Sequence, residues 1–265
     1  MASQIAQGQT PLLKGRDPDD LPIITTPVDF AASPLAEDYS SFFAMTIDNL
    51  LTPEECAALQ GAAGDNWKDL SKGDAYRECQ QNLVFSHGWS SALFERIASC
   101  LPDEVKALRK GDALAQIVAG SSHLKANLGA RKTVWRLKEA NERLSFLRYQ
   151  PGHFFKPHCD ALYAREGKDE KSFLTCQIYL NDAPNGTYPG SGGGGETRFW
   201  ATKKRKSDRE EDNETQRAFL DVIPKMGKAV VFQQRMLWHS GQEVLNGEKF
   251  TVRLDLMYER HFERV

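Results

Sequence analysis

From residue 144 onward the chain is punctuated too often to continue as long helices. The segments "LSFLRYQPGHFFKPH", "SFLTCQIYLND", "GGETRFW", "GKAVVFQQ" and "FTVRLDLMYE" are short, aromatic and β-branched, and Gly, Pro, Asn and Asp separate them. Such runs between turn formers predict a set of short strands, hence a β-sandwich or barrel. The preceding residues read differently. "FFAMTIDNLLTPEECAALQGAAG" predicts a strand running into a helix, with Thr52 as N-cap, Pro53 at the first helical position and Glu55 completing a capping box. A second helix is expected over residues 90–102, where Leu93, Phe94, Ile97 and Leu101 share a face, and 103–143 reads as helical pieces and loops. Residues 1–40, rich in Pro, Asp, Ser and Thr, read as an extended arm. The expected plan is α+β: one domain over 41–265, with helical support at 41–143 packed on a barrel core at 144–260. The stretch 181–195 predicts loop, and the charge-dense 202–216 a solvated surface insertion.

Bulk properties remove several functions. A net charge of −2 without a basic face argues against nucleic acid or an anionic membrane as partner. No apolar run approaches the length of a membrane span, and no secretory signal opens the chain. Cys56, Cys79, Cys100, Cys159 and Cys176 are odd in number and scattered, so reduced thiols in a cytoplasmic, intracellular setting are expected rather than a disulfide framework.

Within "HFFKPHCDALY", His158 and Asp160 lie two apart. If that stretch is a strand, both side chains project to one face. With six His and eighteen Asp in 265 residues, chance supplies about 0.4 such pairs, so the spacing alone decides nothing. His239, in "MLWHSGQEV" after the apolar strand "AVVFQQ", is placed where a barrel could return a third ligand. His87, His123, His153 and His261 are less well placed. Two imidazoles and one carboxylate on one triangular face of an octahedral ion suit non-haem iron(II) and leave open positions for a co-substrate and O₂. A buried turn histidine with no metal is the competing reading of His239.

Ten residues further on, after an Asn246–Gly247 turn, Lys249, Thr251, Arg253 and Asp255 alternate with Phe250, Val252, Leu254 and Leu256. Charged residues facing a barrel interior suit an anion pocket, because a buried ammonium is costly without a carboxylate partner. A solvent-facing strand edge is the alternative.

The blocks "RYQPGHFFKPHCD", "YLND", "GGETRFW", "PKMGKAVVF" and "HSGQEVLNGEKF", in this order over roughly 144–260, resemble the Fe(II)/2-oxoglutarate-dependent dioxygenases of the prolyl 4-hydroxylase-like branch. The resemblance implies a double-stranded β-helix, or jelly roll, related to cupin barrels. It further implies His158, Asp160 and His239 as catalytic metal ligands, and Lys249 as partner of the co-substrate's far carboxylate. Tyr179 and Tyr149 are candidates for the same pocket, each with a plain reading as a half-buried aromatic. The implied cofactors are Fe(II), 2-oxoglutarate and O₂, with ascorbate as accessory reductant. Retention of Asp160 favours oxygen insertion or desaturation over halogenation. Arg253 is expected to bind an acidic group of the substrate, with assistance to 2-oxoglutarate or a salt bridge to Asp255 as alternatives. The expected partner is a small molecule such as an amino acid or natural-product intermediate, with no obligate protein partner. Alternatives are a peptidyl prolyl hydroxylase of an intracellular protein and a non-catalytic metal or 2-oxoglutarate sensor. The stretch "YRECQQNLVF", 76–85, is expected to cover the barrel mouth.

Overall fold

A computed structural model describes residues 3–4, 13, 17, 19–71, 76–182, 193–202 and 217–264. Of the expected loop over 181–195, residues 183–192 lie outside the described residues. So do 203–216 of the charged insertion.

The strands used below are β1 (Ile24–Pro27), β2 (Ala44–Asp48), β3 (Arg77–Phe85), β4 (Arg131–Ala140), β5 (Arg143–Tyr149), β6 (Phe154–His158) and β7 (Glu170–Tyr179). They continue with β8 (Thr197–Trp200), β9 (Phe219–Val222), β10 (Ala229–Gln233), β11 (His239–Gly241) and β12 (Lys249–Glu263). Two helices matter for packing, α1 (Pro53–Ala62) and α2 (His87–Cys100). Neighbouring strands follow the order β9-β8-β11-β6-β3-β5-β12-β7-β10-β2-β1, with β4 added along the far half of β12. The first four strands form one wall and the remainder the other. The short β6–β3 pairing at Phe154–Glu78 and Phe155–Arg77 joins them. This antiparallel arrangement is consistent with the jelly roll.

Local sequence explains the helices. Thr52 accepts from the Glu55 amide and the Glu55 carboxylate accepts from the Thr52 amide, so α1 starts with the capping box and Pro53. Ser86 caps α2 by accepting from the Trp89 amide, and the helix therefore starts earlier than the expected residue 90. Both helices pack on the outer side of the large wall. There Leu59, Leu93 and Ile97 meet Phe146, Ile178, Val252, Leu254 and Leu256 in one apolar cluster. Each such fully buried side chain contributes roughly 1.5–3 kcal/mol. A second buried cluster includes Phe30, Tyr39, Tyr179, Phe199 and Phe232. A smaller one comprises Cys79, Leu147, Tyr149 and Val244.

The N-terminal half departs from the expected helical support. Arg131–Ala140 is a ten-residue strand, not helix and loop. Its Val134, Trp135 and Ala140 are buried while Lys132 and Arg136 are exposed, and it pairs with β12 from Lys132–Glu263 to Ala140–Leu256. Residues 77–85 are an integral strand between β5 and β6 rather than a separate cover. Inside the expected arm, Ile24–Pro27 pairs with β2. All five cysteines are free thiols. Among the described residues no helix is long and apolar enough to cross a membrane.

Candidate metal centre and co-substrate pocket

Strand register brings the first two candidate ligands together. His158 at the end of β6 is paired directly with His239 at the start of β11, and the two rings lie 4.3 Å apart. Asp160 joins them by a different route from the one expected. β6 ends at His158, so Asp160 stands in irregular backbone rather than on the same strand face. Its Oδ1 nevertheless lies 3.8 Å from His158 Nε2 and its Oδ2 3.8 Å from His239 Nε2. One ligand atom from each of the three residues falls within 4.8 Å of the others.

The donor chemistry fits a divalent transition metal. His158 Nδ1 sits 2.8 Å from the Lys156 carbonyl and His239 Nδ1 3.0 Å from the Leu237 carbonyl. A carbonyl only accepts, so each Nδ1 carries the proton and each Nε2 lone pair points free toward the cluster. Burial, with the neighbouring His239, lowers the His158 pKa to about 3, and burial also lowers that of His239, so both rings are neutral. For Asp160, burial works upward but is outweighed by Arg253, the two histidines and the Thr175 hydroxyl, leaving a pKa of about 2. Two neutral imidazoles and one ionised carboxylate are the ligand forms that iron(II) requires.

One cavity joins these groups to the polar face of β12. Its lining includes His158, Asp160, His239, Lys249, Arg253 and Tyr149. Lys249 is 2% exposed. Among the described residues no carboxylate forms an ion pair with it, and burial depresses its pKa to about 8. Its nearest aromatic companions follow from register. Tyr149 is its partner on β5, with the ring centroid 5.1 Å from Nζ, and Tyr179 lies 5.8 Å away on β7. Tyr149 lines the cavity. Tyr179 is fully buried behind it, and its hydroxyl donates to Thr197 Oγ1 at 2.7 Å; Thr197 itself lines the cavity. Arg253 is partly enclosed. Its Nη2 donates to Asp255 Oδ1 at 3.0 Å and lies 3.4 Å from Asp160 Oδ1, so the salt bridge held as an alternative is made.

Several residues enter the cavity that sequence reasoning did not single out. Arg77 lays its guanidinium 4.4 Å over the Phe155 ring, whose other side stacks on His158 at 3.7 Å. Its Nε also donates to Cys79 Sγ at 3.1 Å. Gln81, Ser145, Gln177 and Ser240 add polar lining. Thr175 donates to Asp160 Oδ2 at 2.6 Å. The alternation of "YRECQQ" on a strand was the available signal for Arg77, but only once β3 is recognised as wall. The His123 backbone carbonyl accepts from the Trp135 indole N–H, His261 pairs with Glu259, and neither these nor His87 and His153 reach the centre.

Residues 144–254 match the family model described as the 2OG-Fe(II) oxygenase superfamily. A comparison with curated proteins finds no match. Among solved structures, a Pseudomonas putida prolyl-4-hydroxylase is 18% identical over 87% of this chain and 97% of its own, with a TM-score of 0.46. The viral collagen prolyl hydroxylase of Paramecium bursaria Chlorella virus-1 is 19% identical over 82% and 96%, with a TM-score of 0.43. The SnoK carbocyclase of nogalamycin biosynthesis is 12% identical over 90% and 89%, with a TM-score of 0.43.

Proposed function

From the match of residues 144–254 to the 2OG-Fe(II) oxygenase superfamily model, we propose that the chain oxidises a C–H bond of a small, carboxylate-bearing molecule, with His158, Asp160 and His239 holding iron(II). Bound iron(II) with 2-oxoglutarate supplies an O₂-derived oxidant able to take hydrogen from carbon, with CO₂ and succinate as co-products.

The chain's own residues supply position and charge. Lys249 receives the far carboxylate of 2-oxoglutarate, which returns its ammonium to the charged state that burial alone opposes. Tyr149 and the Tyr179–Thr197 pair set the depth at which that carboxylate stops. Phe155 keeps water from one face of His158. Arg253, which lines the cavity, presents the part of its guanidinium not used by Asp255 to an acidic group on the substrate. The domain reading is one cooperative unit over 41–265, joined by Ile24–Pro27 of the sheet and by the packed Phe30 and Tyr39.

The observation that carries this reading is the juxtaposition, in one cavity, of a His-Asp-His cluster and a buried ammonium that no carboxylate among the described residues pairs with. Succinate formation on adding Fe(II), ascorbate and 2-oxoglutarate tests it, and a protein that binds these without turnover is a sensor instead. Stimulation by free amino acids or related acids supports the small-molecule reading. Stimulation by proline-containing peptides alone replaces it with a peptidyl hydroxylase.

A further inference from the structure

Asp160 is the one residue of the cluster that no strand holds. His158 and His239 are fixed by a cross-strand pair, whereas Asp160 lies two residues beyond the end of β6. Its carboxylate is instead gripped from both sides. Thr175 donates to Oδ2 at 2.6 Å, and Arg253 faces Oδ1 at 3.4 Å.

Both grips trace to one amide. Gln234, fully buried just past the end of β10, directs Nε2 to Asp255 Oδ1 at 3.0 Å and to Thr175 Oγ1 at 3.2 Å. By accepting from Gln234, Thr175 keeps its own proton for Asp160. By accepting from Gln234, Asp255 is fixed where it also accepts from Arg253 Nη2 at 3.0 Å. A third link reaches the backbone that carries Asp160. Ser172 Oγ accepts from the Tyr163 amide at 2.8 Å, so its single proton goes to Gln234 Oε1, also at 2.8 Å. The Ser172 amide in turn donates to the Tyr163 carbonyl, closing the loop onto β7. Ser172 thereby fixes which end of the Gln234 amide is oxygen.

We infer that Gln234 is the positioning residue of the metal centre, orienting the Asp160 carboxylate through Thr175, through Asp255 and Arg253, and through the Ser172–Tyr163 link. The inference rests on the reading of Asp160 as a metal ligand. A glutamine is specifically suited, because the position must donate twice, accept once and stay neutral beside Asp255. A glutamate places a second carboxylate against Asp255 and removes both donors. Outer partners of metal ligands commonly govern affinity by about 10–100-fold.

The test uses Co(II) as a spectroscopic substitute, titrated into the metal-free protein, reading affinity and the visible ligand-field spectrum. Wild-type protein is expected to bind one equivalent that is lost in Asp160→Ala. If wild-type protein binds none, the metal-site reading itself falls, and the inference with it. Given wild-type binding, Gln234→Leu and Thr175→Val are each expected to weaken Co(II) by about 10–100-fold and shift the spectrum, with the metal-free thermal midpoint recorded for each. Thr175→Val should also have a much smaller effect when added to Gln234→Leu than alone, because both act through one link. Should Gln234→Leu fail to fold, Thr175→Val and Asp255→Asn carry the same test at the two arms. Folded variants with unchanged Co(II) affinity and spectrum overturn the inference, and a lowered thermal midpoint alone marks Gln234 as a packing residue only.

Discussion

The two faces of β12 are buried to a similar depth and for opposite reasons. Phe250, Val252, Leu254 and Leu256 pack outward under the helices, where close-packed apolar contact stabilises the wall. Lys249, Thr251 and Asp255 point between the walls, also nearly inaccessible, but surrounded by hydroxyls, rings and the cavity. Burial on the first face is favourable in itself. Burial on the second costs free energy until a ligand compensates, and the depressed Lys249 pKa is the trace of that cost. A single strand with period two therefore separates the part that stabilises the protein from the part proposed to recognise a ligand.

The sharpest way to break this contrast is to remove a proposed metal ligand. His239→Ala or Asp160→Ala should cost more metal affinity than the roughly 10–100-fold typical of outer partners, with loss of succinate formation while the thermal midpoint of the metal-free protein changes little. On the polar face of β12, Lys249→Ala should raise the KM for 2-oxoglutarate by on the order of 30-fold or more, matching the ~2–5 kcal/mol that truncating one member of a buried charged pair typically costs. On the apolar face, Leu254→Ala should lower stability by about 2–5 kcal/mol and leave that KM unchanged. A reversal of these two results would mean that the faces have been assigned the wrong way round.

pH sharpens the contrast without mutation. On the proposed reading the ammonium form of Lys249 binds the carboxylate, and burial lowers the Lys249 pKa to about 8 when no ligand is bound. Affinity for 2-oxoglutarate is thus full below about pH 8 and should fall by about tenfold per pH unit well above it. Titration calorimetry across pH 7–10 checks this, and an affinity that is flat to about pH 10 contradicts it. The smallest expected effect is Arg253→Gln, which should raise the KM of an acidic substrate more than that of 2-oxoglutarate; the opposite order assigns Arg253 to the co-substrate.

The legible parts of this architecture were those with short-range periodicity or capping chemistry. Alternation placed Lys249, Thr251, Arg253 and Asp255 on one face, and Thr52, Pro53 and Glu55 marked the start of α1. The strand Arg131–Ala140 was missed because exposed Lys132, Arg136 and Lys138 dilute its apolar set to a pattern that a helix also tolerates. The meeting of His158, Asp160 and His239 was expected, but the reason offered for Asp160 was wrong in detail. Its placement depends on Thr175, Arg253 and Gln234, which lie 15, 93 and 74 residues away and carry no local signature. Arg77 was hidden for a related reason, since its role appears only when β3 is paired with β6.

The most direct test of the central claim is the visible absorption of anaerobic protein titrated with Fe(II) and then 2-oxoglutarate. Chelation of the 2-oxo acid to iron should produce a charge-transfer band that requires both additions, is absent in His239→Ala, and in Lys249→Ala forms only at much higher 2-oxoglutarate. No band in folded wild-type protein, or a band that persists unchanged in His239→Ala, would contradict the account.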